Sequence, residues 1–327
     1  MNHDMVLDDH WRPQASIDTL RARAALLARV RQFFAERDVL EVDTQLLSHA
    51  AVSDPFIDSI EAQYRPAPDQ PAQTLYLQTS PEYAMKRLLA AGSGAIYQLG
   101  KVFRNGEVGS RHNPEFTMLE WYRPGFAAAQ LMDEVEALVA LAIPGFSAQR
   151  LSYRELFERE LGIDPHRATR AELQRLCRQH VDAPFEDDCR DTWLNLLMSH
   201  VIEPRLSAPV FVHAFPASQA ALAQVVEDAQ GVPVATRFEL FVAGVELANG
   251  YRELTDATEQ RRRLQQDQAR RKALGLPQRP LETRLVAALD AGLPDCAGVA
   301  LGFDRLVMLA LGLERIEQAI PFAFERA

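Results

Sequence analysis

The segment Phe238-Glu239-Leu240-Phe241-Val242-Ala243-Gly244-Val245-Glu246-Leu247 constrains the fold more than any other. It reads as two strands about a two-residue turn, the shortest common hairpin connection. Side chains alternate between the faces of a strand. With Ala243-Gly244 as the turn, Val242 pairs with Val245 and Phe241 with Glu246. Leu240, Val242, Val245 and Leu247 then share a core face, and Glu239 and Glu246 become diagonal neighbours on the other. Two carboxylates within reach of one cation, with phosphate oxygens completing the shell, suit magnesium. Solvent-exposed glutamates would show the same spacing. Asn249 and Glu253 follow at once, and four polar groups around one hairpin favour a ligand.

A second segment obeys the same strand logic. Phe103-Arg104-Asn105-Gly106-Glu107 leads through a polar loop to Arg111-His112-Asn113-Pro114-Glu115-Phe116-Thr117-Met118-Leu119-Glu120-Trp121-Tyr122. In the returning strand Phe116, Met118, Glu120 and Tyr122 share one face. That row makes a poor hydrophobic stripe and a good ligand floor, although an amphipathic hairpin with solvated ends has the same pattern. Arg104, Arg111 and His112 can offer cationic donors to phosphate. A third segment is Gly298-Val299-Ala300-Leu301-Gly302-Phe303-Asp304-Arg305-Leu306. Its glycines let the backbone approach a ligand, and the helix it opens attracts anions at its N-terminus. A first turn normally favours an acid, so Arg305 there is better explained by a phosphate within its reach.

Composition bounds what such a site can serve. The chain has 327 residues, 47% hydrophobic and 24% charged, enough for a substantial core. No apolar run approaches the roughly 20 residues that span a bilayer, and the polar, acidic stretch 1–11 is not a signal peptide. Cys177, Cys189 and Cys296 are odd in number and form no C-x-x-C, which argues against a disulfide framework or a zinc site and for the cytoplasm. Cys296 reads as a small buried apolar residue. A formal net charge of -10 argues against duplex nucleic acid as the partner.

Apolar residues at Ile17, Leu20, Ala24, Leu27, Val30 and Phe34 mark an amphipathic helix starting near Ser16 or Asp18. Residues 39–47 and 74–78 read as strands, 65–72 as a proline-rich loop, 81–91 as a helix, and 95–103 and 115–122 as strands flanking the polar loop. The stretch 127–205 reads as mostly helical, with a break at Ile143-Pro144-Gly145. Residues 257–274 read as a charged helix on which Arg261 to Arg263 and Arg270 to Lys272 form a solvated face, or a contact with a carrier protein. Residues 302–311 read as a short helix ended by Gly312. The ligand-directed segments come from both ends of the chain, so a single α/β domain over 1–327 is expected.

Taken in this order, the segments resemble the three motifs of class II aminoacyl-tRNA synthetases. The first motif corresponds to the 17–34 helix with Glu41-Val42-Asp43-Thr44-Gln45-Leu46-Leu47, where Gln45 stands in place of the usual proline. Phe103-Arg104-Asn105 through Met118, and Phe238-Glu239 through Asn249-Gly250, look like the lysyl-tRNA synthetase catalytic core, and the resemblance covers nearly the whole chain. Two features depart from that core. The chain begins almost at the first motif, with no anticodon-reading β-barrel before it, and Ala300 replaces a glycine. Both are similar to the truncated lysyl-tRNA synthetase paralogues that modify elongation factor P. So are Glu120-Trp121-Tyr122, His213-Ala214-Phe215-Pro216-Ala217-Ser218-Gln219 and Pro294-Asp295-Cys296.

The resemblance implies an α+β fold, mostly antiparallel sheet flanked by helices, in a homodimer built through the first motif. It implies ATP and Mg2+, (R)-β-lysine as the activated amino acid, and a lysine of elongation factor P as acceptor, without stable nucleic-acid or membrane partners. By the same resemblance Arg104, on the α-phosphate and substrate carboxylate, and Arg305, on the γ-phosphate, are the catalytic residues. Asn105, Gly106, His112, Asn113, Phe116, Glu246, Leu247 and Gly302 complete the ATP site, with Asn113 and Phe116 at the adenine. Ser80, Pro81, Glu82, Glu120, Tyr122, Asn249, Glu253 and Ala300 line the amino-acid pocket, and Glu239 and Glu246 hold magnesium. The family usually has glutamate where Gly106 stands, and Glu107 can substitute. Rival expectations are a lysine-activating, tRNA-charging enzyme without an anticodon domain, a non-catalytic amino-acid-sensing paralogue, and an ammonia ligase on the same fold.

Overall fold

A computed structural model describes residues 11–327, so the reading of 1–11 lies, but for Trp11, outside the described residues. The first helix forms as α1 (Ile17–Ala35), where Ser16 Oγ accepts from the Thr19 amide. Val30 and Phe34 are buried as expected, and so is Leu26, which the spacing passes over. The strand read at 39–47 is corrected. It splits into β1 (Leu40–Glu41) and β2 (Leu47–Ser48), because the intervening Thr44 amide donates to the side-chain Oε1 of Gln98 at 2.9 Å instead of to a strand carbonyl. β3 (Glu61–Tyr64) is mostly exposed and carries no apolar alternation, so it gives no periodic signal. It pairs with β4 (Gln73–Leu77), which also pairs with β2, in a small sheet. α2 (Glu82–Ala90), β5 (Ile96–Phe103) and β6 (Glu115–Pro124) match their expected spans within two residues.

The 127–205 region is helical with one correction. α3 (Ala128–Ala142) is followed by a strand, β7 (Gln149–Ser152), before α4 (Tyr153–Leu161), α5 (Arg170–His180) and α6 (Arg190–Leu197). Ser152 with Glu155 and Thr169 with Glu172 form reciprocal caps that start α4 and α5. α6 runs into a wider π turn at Met198–Ile202. β8 (Val210–Pro216), β9 (Val225–Glu227), β10 (Pro233–Val242) and β11 (Val245–Arg252) come next. Then follow α7 (Ala257–Ala273), α8 (Thr283–Gly292), β12 (Cys296–Gly302) and α9 (Phe303–Ala310).

The large sheet has the order β1-β5-β6-β12-β11-β10-β8-β7, with β9 beside β10. Its pairs are antiparallel except β1–β5 and β7–β8 at the two ends. The turn is Ala243-Gly244, both at positive φ (50° and 69°), the geometry a two-residue hairpin requires. A Cβ on Gly244 would sit 2.8 Å from the Glu203 carbonyl. Val242 faces Val245 and Phe241 faces Glu246 as read. Beyond them the regular register is corrected by a bulge between Leu240 and Phe241, which sets Leu240 opposite Ala248 and Glu239 opposite Asn249.

α1, α3 and α9 cover one face of the sheet around Trp121, whose indole N–H donates to Glu134 at 3.0 Å. α4, α5 and α6 build a second core with β8 and β10, and α2 and α8 a third. The solvated-face reading of α7 holds at Arg261, Arg262 and Lys272, while Arg263 and Arg270 are half-buried and Arg271 overturns it. Arg271 is buried and donates to the carbonyls of Pro277 and Asp54 and to the Asp58 carboxylate. An arginine periodicity alone cannot show that such acceptors wait in distant loops.

Candidate active site

A cavity of about 1200 Å³ opens over β6, β12, β11 and β10. Strand register lays its floor out as a grid. Glu120 pairs with Ala300, Ala300 with Asn249, and Asn249 with Glu239, one row across four strands. The next row on the same face is Tyr122, Gly298, Tyr251 and Arg237. Directly opposed residues on one face lie about 4.5–5.5 Å apart at Cβ, so each row forms a continuous strip. Gly298 keeps the second row open. A Cβ there would meet the Tyr122 ring at 2.3 Å and Glu253 Oε1 at 2.5 Å.

At one end of the grid the N-terminus of α2 brings in Glu82 and Lys86. The Lys86 ammonium is fully buried, 2.6 Å from Glu82 and 2.7 Å from Glu253. Tyr122 Oη donates to Glu120 Oε1 at 2.6 Å, while buried Glu120 Oε2 has no partner. Burial first, then the Glu82 charge, pushes the Glu120 carboxyl up to about 8. Glu253 is pushed up to about 7 by burial and by Glu82, against the pull of Lys86. Three carboxylates thus face one ammonium, and a basic ligand would relieve the imbalance.

Asn249 is held from two sides. Its Nδ2 donates to Tyr251 Oη at 3.1 Å, and Arg237 Nε donates to its Oδ1 at 3.2 Å. Arg237 also pairs with Glu239 and donates to the Gln219 carbonyl at 2.9 Å. Burial, with the charges of Glu246 and Glu203, pushes Glu239 up to about 7 even though Arg237 pulls it down. Glu203 rises to about 7 by burial and the Glu246 charge. This end is therefore short of positive charge. Among the described residues no cluster of three or more His, Cys, Asp or Glu could hold a metal unaided. The fit is to a cation that also takes ligands from a bound phosphate, the usual manner of magnesium.

Arg305 reaches across the opposite rim. It donates to the Glu246 carbonyl at 2.8 Å, the Arg111 carbonyl at 3.3 Å and His112 Nε2 at 2.7 Å. Burial and the Arg305 charge hold His112 below the usual imidazole value, consistent with a neutral ring that accepts this bond. Arg104 donates to the Thr79 carbonyl at 3.4 Å, lies 3.6 Å from Glu107, and sits over the Phe116 ring. Asp304 fixes the first turn of α9 by accepting from the Thr117 amide at 2.8 Å and pairing with Arg23 at 2.6 Å.

Ser80, Glu82, Arg104, His112, Asn113, Phe116, Glu120, Tyr122, Glu239, Glu246, Leu247, Asn249, Glu253, Ala300, Gly302 and Arg305 all line the cavity. Asn113 is already engaged, donating to the Glu115 carbonyl and accepting from the Phe324 amide. Three expected residues do not line it. Asn105 turns to Asp58, donating to its carboxylate at 3.0 Å, Gly106 forms the adjacent turn at φ +78°, and Pro81 precedes α2. The sequence reading misses Lys86, Arg237, Tyr251 and Glu203. Lys86 stands four residues after Glu82, a visible helical ion-pair spacing. Arg237 and Tyr251 stand two residues from Glu239 and Asn249 on the same strand faces. Glu203 has no such signal, because a π turn delivers it.

Carboxylates along an antiparallel floor, with arginines at the rim, suit a ligand that carries both ammonium and phosphate groups. The chain belongs to the class II tRNA synthetase family, the family model for tRNA synthetases class II (D, K and N) matching residues 6–326. Among its relatives, it is 48% identical over 325 residues to the elongation factor P–(R)-beta-lysine ligase of Mannheimia succiniciproducens, covering 99% of this chain and 100% of that protein. It is 50% identical over 323 residues to the protein of the same name from Vibrio cholerae serotype O1, covering 97% and 98%.

Proposed function

We propose that this chain joins (R)-β-lysine to ATP as an adenylate and transfers it to the side-chain amine of a lysine on elongation factor P. The observation that carries the amino-acid half is the unpartnered Glu120 Oε2, buried near Glu82 and Glu253, which already share the Lys86 ammonium. A substrate with two ammonium groups supplies the missing charge. The names of relatives at 48–50% identity support the β isomer and the acceptor.

In the first step the substrate carboxylate attacks the α-phosphorus and the bond to pyrophosphate breaks. Arg104 orients the carboxylate and α-phosphate, and Arg305 takes charge developing on the leaving group. Such preorganised donors supply much of the rate enhancement in phosphoryl and acyl chemistry. Glu239 and Glu246 would hold magnesium, which neutralises phosphate charge when bound. In the second step the acceptor amine attacks the adenylate carbonyl and AMP leaves.

The chain would work in the cytoplasm as a homodimer. Among the described residues no helix is long and apolar enough to cross a membrane. Exposed Ile17, Leu40, Leu46 and Leu47, along the first motif, support an apolar interface between copies. Net charge -10 supports a protein acceptor over tRNA. The test incubates enzyme, ATP, magnesium and each lysine isomer with elongation factor P or with tRNA(Lys). A mass increase on elongation factor P, greatest with (R)-β-lysine, is expected. Charging of tRNA(Lys) with no change in elongation factor P would overturn the proposal.

A further inference from the structure

The cavity continues beyond the floor grid, over β10 and β8, into a lobe that activation does not use. A volume of about 1200 Å³ exceeds the roughly 300–1,000 Å³ of ordinary small-molecule sites. Tyr153, at the start of α4, lines this lobe and is 1% exposed, yet its hydroxyl has no hydrogen-bond partner. Its ring is fixed by stacking on Phe157 and by packing on Phe215. A buried, orphaned phenol is costly unless a ligand completes it. Asp191, in the first turn of α6, also lines the lobe. Its carboxylate is aimed by Ser218 Oγ at 2.8 Å and Gln219 Nε2 at 3.4 Å. Among the described residues no cation pairs with it. Met198 and Phe215 give the lobe apolar walls, and on β10 Arg237 and Glu239 pair with each other.

We propose that this lobe is the channel for the acceptor's lysine side chain, whose stem lies against Met198 and Phe215 and whose ammonium is received by Asp191 and Tyr153. A four-carbon stem with a terminal cation fits apolar walls ending in a carboxylate and a hydroxyl acceptor. The channel meets the activation site at Asn249 and Glu239, where β10 and β11 adjoin, so an amine passing along it arrives beside the adenylate. The ammonium loses one proton to water before attack. Its nitrogen then bonds to the carbonyl carbon, the carbon–oxygen bond to AMP breaks, AMP departs with the electron pair, and a second proton goes to water.

This inference rests on the activation reading above, and the experiment separates the two. The adenylate is trapped with n-butylamine, a lysine side chain without its backbone, and in parallel with hydroxylamine, which is neutral and needs no ammonium site. The products are quantified by mass spectrometry. Asp191→Asn should raise the half-saturating n-butylamine concentration about tenfold, and Tyr153→Phe about threefold. Hydroxamate formation should fall by a much smaller factor in both. A parallel fall with both amines, or an unchanged response to n-butylamine, would overturn the channel. Absence of hydroxamate with every lysine isomer would overturn the activation reading and the channel with it.

Discussion

Binding of a dibasic amino acid, without ATP, should expel protons from the pocket. Burial and the Glu82 charge push the Glu120 carboxyl up to about 8 and Glu253 up to about 7. At pH 7 the pair holds on the order of one proton. An ammonium placed against them restores their ionisation, while the ligand amines keep most of their own protons at pH 7. The expected release is therefore on the order of one proton per ligand at pH 7, and smaller as pH rises above it. Titration calorimetry in phosphate and in Tris measures it, because the observed enthalpy changes by the protons released times the buffer's ionisation enthalpy. Glu120→Gln should lower the count markedly. The sign extends to stability. Both carboxyls titrate above the ordinary value of 4.5, so the folded state holds the extra protons between about pH 4.5 and pH 8. Stability of the ligand-free protein should fall as pH rises through that window, and bound lysine should flatten the slope. Identical enthalpies in the two buffers at pH 7 would refute the account of an over-acidic pocket.

Arg305→Ala should slow lysine-dependent pyrophosphate exchange by about 100-fold or more, the scale of losing one transition-state donor. Glu246→Gln should shift the magnesium titration of the same assay to higher concentration, with an unchanged melting temperature excluding unfolding. Gly298→Ala should force Tyr122 and Glu253 apart, costing roughly 1–3 kcal/mol in thermal unfolding and raising the KM for lysine. Ala300→Gly should raise kcat/KM for α-lysine relative to β-lysine by about 10-fold or more, since one methyl at a pocket wall is worth roughly 1–3 kcal/mol; an unchanged ratio would assign Ala300 to packing alone.

What was legible in the sequence follows strand periodicity. The alternation Phe116, Met118, Glu120, Tyr122 and the turn at Ala243-Gly244 survive intact, because period two and a glycine at positive φ are local facts. The bulge after Leu240 was not legible. It answers to both flanking strands, and nothing in the hairpin records it. Lys86 marks another boundary. Its spacing from Glu82 was visible, but Glu253 lies far along the chain, so only the assembled fold shows one ammonium serving two carboxylates. Asn105 shows the converse. Family resemblance directs it to the nucleotide, whereas here Asp58 occupies its side chain.

The cross-strand row from Glu120 to Glu239 also limits how such an enzyme can drift. Glu120 is tied to Tyr122, Asn249 to Tyr251 and Arg237, and Glu239 to Arg237. In the neighbouring row Gly298 admits no side chain without displacing two others. A mutation at any of these positions breaks a second contact at once and must wait for a compensating change. Ala300 bears only a methyl, pairs directly with both Glu120 and Asn249, and borders the cavity. Of the residues in that row, it alone makes no side-chain hydrogen bond, so exchanging it leaves the network around it standing.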